Sequence, residues 1–313
     1  MQRFSPLTLC LISFLSLQCA QAPDQEVKTW DQAHHIVFLG NSITYAGSYV
    51  NYVEAYWKLK HPDMKAEFIN LGLSSETVSG LSEPNHAKGK FPRPDLRERL
   101  DRALTLIQPD LIFACYGMND GIYLPFDEDR FSKFQTGIHH LHERALEAGA
   151  EIIHLTPPVY DERKGVAYAE VMNQYADWLI QQQDSAGWKT IDIHWPMQKS
   201  LENERKIDSS FAYARDGIHP NQKGHWVMAK EVLKYLGAGE VTAFNSAEEA
   251  FAGFRNGEEL LALIQQRQAV TKHAYLSEVG HHHPHIKAGL PLPKAQQKID
   301  SISHAIQELL IAH

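Results

Sequence analysis

Five short apolar runs, each closed by a turn, constrain this chain more than anything else in its sequence. Ile36-Val37-Phe38-Leu39 ends at Gly40, and Phe68-Ile69-Asn70-Leu71 ends at Gly72. Leu111 to Cys115 runs into Tyr116-Gly117-Met118-Asn119-Asp120-Gly121, Glu151 to Leu155 is stopped by Pro157-Pro158, and Thr190 to Ile193 forms a shorter fifth run. Runs this short and this continuously apolar read as strands buried on both faces. Helical patterns fill the gaps. Tyr49, Val53, Tyr56 and Trp57 share a face of a helix starting near Ser48, with Ser48 as its N-cap. Leu96, Leu100, Leu104 and Ile107 mark a helix over about 94–107. Phe131, Phe134, Ile138, Leu141 and Ala145 mark one from near Asp127, and Tyr168, Met172, Tyr175 and Leu179 mark another that Gly187 ends. Strands alternating with helices predict a parallel sheet covered on both faces.

The chain of 313 residues is long enough for this unit plus further segments. Residues 1–22 have a basic start at Arg3, an apolar stretch from Leu7 to Leu17 and Ala20-Gln21-Ala22 as a cleavage pattern, so they read as an export signal. Pro23 is unfavourable just after that site. Cys19 opens the alternative of lipid attachment, although Gln18 is bulky where such signals carry a small residue. Cys10 and Cys19 fall in this segment, which leaves Cys115 as the thiol of the folded part, inert inside a strand. From Val241 onward there is no strand signal, only helical patterns over 248–266 and 293–312; residues 239–313 read as a helical extension packed on a unit spanning 29–238. The formal net charge of −8 excludes a phosphate-neutralising nucleic-acid binder. No run beyond the signal is long enough to span a bilayer.

Chemistry concentrates at the turns. Ser42 lies where the first strand gives way to a helix, at the carboxyl edge of the sheet where ligands bind and backbone N–H groups favour negative charge. Gly72 leaves a backbone N–H unobstructed after the second strand, and Asn119 places an amide donor at the mouth of the third. Late in the chain, Arg215-Asp216-Gly217-Ile218-His219-Pro220 sets a carboxylate three residues from an imidazole. A turn there lets Asp216 orient His219, whose other nitrogen is then free to take a proton from Ser42. Each piece alone also fits a helix cap or an ordinary turn; their order along one sheet favours the catalytic reading.

These blocks resemble the SGNH, or GDSL, hydrolase family: Gly40-Asn41-Ser42-Ile43-Thr44 is similar to its first block, Gly72 to its second, Gly117-Met118-Asn119-Asp120 to its third and Asp216-Gly217-Ile218-His219-Pro220 to its last. The resemblance covers about 29–237, with Asn41 where the family usually has Asp. It implies a flavodoxin-like three-layer α/β/α sandwich and ester hydrolysis without a metal or organic cofactor. In that reading Ser42 is the nucleophile, His219 the base and Asp216 its partner, while the N–H groups of Ser42 and Gly72 and the Asn119 side chain hold the oxyanion. Tyr45, Tyr123 and Trp195 are expected to border the pocket. Export and the polar loop from Ser82 to Arg93, with Asn85, His86, Lys88, Lys90 and Arg93, point to a short-chain carbohydrate esterase acting on a small-molecule or polysaccharide ester. The alternatives are a lipid esterase, an acyltransferase on the same scaffold and a silent glycan-binding protein. His281-His282-His283-Pro284-His285 reads as a surface loop rather than a metal tract. Of His139, His140 and His142, two are expected to face solvent.

Overall fold

The computed structural model describes residues 32–311; the expected export signal, Cys10 and Cys19 lie outside them. β1 (His35–Gly40), β2 (Glu67–Asn70), β3 (Leu111–Cys115), β4 (Glu151–Leu155) and β5 (Lys189–Ile191) form one parallel sheet in the order β2-β1-β3-β4-β5. Val37 stands opposite Ile69 on one side and Ile112 on the other. Each strand is nearly continuous in branched or aromatic residues because helices cover both faces. Phe38, at the centre, stacks on Phe113 at 4.9 Å and Phe68 at 6.4 Å. The chain runs from β1 to β2 in one direction and then crosses back to β3, so the strand order reverses at β1. That reversal opens a crevice beside the carboxyl end of β1.

Several helices begin or end elsewhere than the pattern predicts. A short helix, α1 (Ser42–Ala46), starts directly after β1; Gly47, at φ 80°, separates it from α2 (Ser48–Lys60). Ser48 is therefore the first residue of α2 and not a side-chain cap. α3 (Leu100–Ile107) begins later than expected, because Asp95 caps a single 3₁₀ turn at Leu96–Glu98 and Arg99 turns inward. α4 (Glu128–Glu147), capped by Asp127, and α5 (Val166–Ala186), ended by left-handed Gly187, follow the pattern. β5 stops at Ile191 because the Asp192 carboxylate instead accepts the Trp195 N–H at the start of α6 (His194–Ile207), a helix the pattern did not mark. α7 (Gln222–Tyr235) is capped by Asn221.

Beyond α7 the chain is helical, as expected, but the first long helix is broken. α8 (Ala247–Ala252) ends, the chain turns at left-handed Asn256, and α9 (Gly257–Val279) then runs well past the expected end. Glycine is needed at this break for space: a Cβ on Gly257 would lie 2.3 Å from the Phe251 carbonyl. α10 (Leu292–Ile311) packs on α9, and α9 lies against α2 and β2. In consequence α2 is enclosed on both sides, and even its Glu54 is fully buried, bonded to Arg267 and to Gln268 Nε2 of α9. No helix among the described residues is long and apolar enough to cross a membrane.

Candidate active site

β1 pairs with β2 on one side and β3 on the other, so the segments leaving all three strands emerge side by side. Gly40 lets the chain turn immediately into α1, since a Cβ there would meet Thr44 Oγ1 at 2.1 Å and the Cys115 carbonyl at 2.8 Å. Asn41 caps α1, its Oδ1 accepting the Ile43 N–H at 3.1 Å. An uncharged amide oxygen performs this cap, so the departure from Asp costs the turn nothing it needs. Ser42 is thereby fixed as the first helical residue, half-buried, with its own N–H unused by any protein acceptor among the described residues.

Ser42 Oγ lies 2.8 Å from His219 Nε2, and His219 Nδ1 lies 2.6 Å from Asp216 Oδ2. The other Asp216 oxygen accepts the N–H groups of Ile218 and His219, both at 2.9 Å. Partial burial pushes the Asp216 carboxyl up, but those two N–H groups and the imidazole outweigh it and bring it down to about 2. Asp216 is thus a carboxylate that can only accept, so His219 Nδ1 donates and Nε2 is left to accept the Ser42 hydroxyl. The relay that the six-residue motif predicts is assembled as a continuous line of hydrogen bonds.

Asn119 is buried at the end of β3 with both ends of its amide held. Tyr123 Oη donates to its Oδ1 at 2.8 Å, and its Nδ2 donates to the Glu76 carbonyl at 3.1 Å. The amide carries a second N–H, which those contacts leave unused. Its neighbour Asp120 ties the loops after β2 and β3 together, accepting the N–H groups of Val78 and Ser79 at 2.9 Å and of Gly117 at 3.0 Å. Glu76 is held by Arg99 at 2.6 Å and by the Tyr116 hydroxyl at 2.6 Å. Sequence reasoning missed Glu76, Arg99 and Asp120; a carboxylate directly after Asn119 at a buried strand mouth was the available signal.

Gly72 lies beside the group, but its N–H is not unobstructed. It donates to Asn70 Oδ1 at 2.9 Å. Glycine is required there for space, because a Cβ would lie 2.2 Å from the Tyr45 nitrogen. The N–H groups of Ser74 and Ser75 in this loop meet no protein acceptor among the described residues. Ser75 sits in the left-handed region at φ 65°, a conformation unusual for a residue with a Cβ.

Of the three aromatic residues expected at the rim, Tyr45 lies one turn from Ser42 in α1, and Tyr123 orients Asn119. The structure does not bring Trp195 to this group: its indole donates to Asp177 at 2.8 Å and its ring meets His194, beyond β5 at the far edge of the sheet. In the loop from Ser82 to Arg93, Asn85, Lys88 and Lys90 are exposed, whereas Arg93 and His86 turn inward to Glu83. Arg93 also stands 5.3 Å over the Tyr123 ring. The His281–His285 tract packs against the same loop, with the His283 and His285 rings 4.9 and 5.4 Å from Phe91. Among the described residues no group of three His, Cys, Asp or Glu side chains is arranged to hold a metal ion. His142 is drawn inward to His154 at 3.0 Å, and His139 is exposed.

A parallel α/β sandwich with serine, histidine and aspartate in line at its switch point has the architecture of a serine hydrolase. Residues 38–227 match the model of the GDSL-like lipase/acylhydrolase family. An acetylxylan esterase from Geobacillus stearothermophilus is 22% identical over 223 residues, 64% of this chain and 93% of that protein. A solved structure of a catalytic mutant of the acetylxylan esterase Axe2 from Geobacillus stearothermophilus superposes with a TM-score of 0.52 at 21% identity, covering 65% of this chain and 94% of that one. A gut microbial diltiazem-metabolizing enzyme superposes equally well, with a TM-score of 0.52 at 23% identity, over 65% of this chain. This chain spans about half the length of that enzyme, 47%. The chain belongs to the GDSL-like lipase/acylhydrolase family and is an ester-hydrolysing enzyme.

Proposed function

We propose that this chain is an exported serine esterase that removes short acyl groups, acetyl foremost, from carbohydrates. The observation that carries the reading is the line Ser42 Oγ to His219 Nε2 at 2.8 Å and His219 Nδ1 to Asp216 at 2.6 Å. His219 takes the Ser42 proton as Oγ attacks the ester carbonyl. The resulting oxyanion is held by the Ser42 N–H, the second Nδ2–H of Asn119 and the Ser75 N–H, which takes the place first expected of Gly72. The imidazolium, stabilised by Asp216, gives its proton to the departing alcohol oxygen and leaves an acyl-Ser42. His219 then deprotonates a water that attacks this ester, and the acid departs as the proton returns to Ser42.

The sugar preference rests on three supports. One is the likeness to an acetylxylan esterase. Another is the pair of aromatic residues, Tyr45 and Tyr123, beside the relay. The third is the exposed polar stretch of Asn85, Lys88 and Lys90, groups suited to hydroxyl-rich ligands. Export rests on the pattern of residues 1–22. The test is turnover of acetyl against octanoyl esters, together with acetate release from acetylated glycans. Preference for acetyl with acetate released supports the proposal; preference for octanoyl with no acetate released from any glycan contradicts it.

A further inference from the structure

The C-terminal helices reach the site itself. α9 brings Lys272 and His273 against Tyr45, three residues after Ser42 in α1. His273 Nε2 lies 3.0 Å from the Tyr45 hydroxyl. Lys272 Nζ donates to the Tyr45 carbonyl at 2.5 Å and stands 4.2 Å from the centre of the Tyr45 ring. Residues three apart in a helix share a face, so the cluster lies against the side of α1 that carries Ser42. Lys272 and Tyr45 are each half-buried.

Among the described residues Lys272 has no counter-ion, as Lys58 and Lys230 have none, but of these three lysines it is the one that bonds α1, the helix carrying Ser42. The enclosed guanidinium groups of Arg93, Arg99, Arg205 and Arg267 each meet a carboxylate. Lys272 meets a carbonyl and a ring face, and no carboxylate among the described residues lies within ion-pair distance of it. An ammonium withdrawn from water without an anion is costly, and burial alone drags Lys272 down to about 8. On a chain with a formal net charge of −8, general attraction does not draw anions to this place. A carboxylate arriving with the substrate would supply the missing partner.

We propose that Lys272 recognises a carboxylate carried by the ester substrate, so that the helical extension contributes specificity to a site built by the sheet. The proposal rests on the carbohydrate-esterase reading and narrows it to acidic glycans whose uronate lies near the acylated hydroxyl. The test compares kcat/KM of the full chain on three substrates: an acetylated methyl glucuronoside, the matching acetylated methyl glucoside, and a hemisuccinyl ester of that neutral glucoside. A charge-assisted hydrogen bond of ordinary strength predicts a preference for the glucuronoside of about tenfold. Lys272→Met should reduce that ratio to about one, and Lys272→Arg should keep most of it. A preference for the hemisuccinyl ester that Lys272→Met removes also supports a carboxylate partner and assigns it to the acyl group rather than the sugar. Equal rates on all three esters in the wild type, or a carboxylate preference undiminished in Lys272→Met, overturn the proposal. If Lys272→Met does not fold, the wild-type and Lys272→Arg ratios decide. Hydrolysis of the neutral acetyl ester without acid preference defeats Lys272 alone, whereas no hydrolysis of any acetyl ester defeats the esterase reading with it.

Discussion

Asn119 shows how a single side chain is prepared for work. Tyr123 fixes its oxygen, the Glu76 carbonyl takes one N–H, and the other N–H is left unspent. A preorganised donor of this kind typically contributes about 10²–10³ in turnover rate. Asn119→Ala should lower kcat by that factor, while the circular dichroism spectrum and KM change little; a variant with near-normal kcat would reduce Asn119 to a loop anchor. Ser75 makes a complementary case. Only its backbone N–H is asked to act, and its φ of 65° is one glycine adopts freely. Ser75→Gly should therefore keep full esterase activity, and a loss of tenfold or more would show that the hydroxyl, not the N–H, is what the site uses. At this scale the sequence yielded Ser42, Asn119, Asp216 and His219, because each stands at a strand end or in a short local turn. It missed Glu76, Asp120 and the Asn70 side chain that takes the Gly72 N–H. Those contacts join residues forty or more positions apart, or depend on which of several loop N–H groups a side chain has already taken.

Among the elements, β4 carries a polar residue where an apolar one would be ordinary. His154 is fully buried beneath α4, 3.0 Å from His142, and Trp188 stacks on both rings at 4.9 and 4.2 Å. Burial first, and then the neighbouring imidazoles, lower His154 to about 3 and His142 to about 4. Both rings are neutral in the folded chain at pH values where an unfolded chain protonates them, near 6.5 and below. The unfolded state thus binds more protons between about pH 6.5 and 3, and stability falls as pH is lowered through that window. Urea unfolding across it should show this loss in the wild type and a shallower one in His154→Leu; equal slopes would contradict the pairing. The strands and most helices were legible because short apolar runs and 3.6-residue periodicity are local signals. α6 was not, since of its apolar side chains only Met197 and Leu201 are buried behind a polar surface. α9 was read too short because Arg267, Gln268 and Thr271 interrupt its apolar face, yet all three are buried.

Over the whole molecule, the reason those polar residues are tolerated is Glu54 on α2. Arg267 and Gln268 close on a carboxylate that has no exposure to solvent, and Arg267 also reaches Ser303 of α10. The extension is thereby fastened to the sheet unit through a buried ion pair, a contact no single stretch of sequence displays. Glu54→Ala leaves the Arg267 charge enclosed and unpaired, and should cost about 3–5 kcal/mol of unfolding free energy in denaturant titration; a cost below about 1 kcal/mol would mean the helices are held by apolar packing alone. Through the same fastening, Lys272 and His273 are delivered to Tyr45, so the sheet, the late Asp216–His219 turn and the extension converge on the short helix that carries one serine, Ser42. The most direct measurement is therefore made on that serine. Mass spectrometry of the full chain, quenched with acid during turnover of an acetyl ester, should find one acetyl group on the peptide carrying Ser42, and Ser42→Ala should fold normally with neither the adduct nor turnover. Undiminished ester hydrolysis by Ser42→Ala, or an acetyl group trapped on another residue with Ser42 unmodified, would contradict the account.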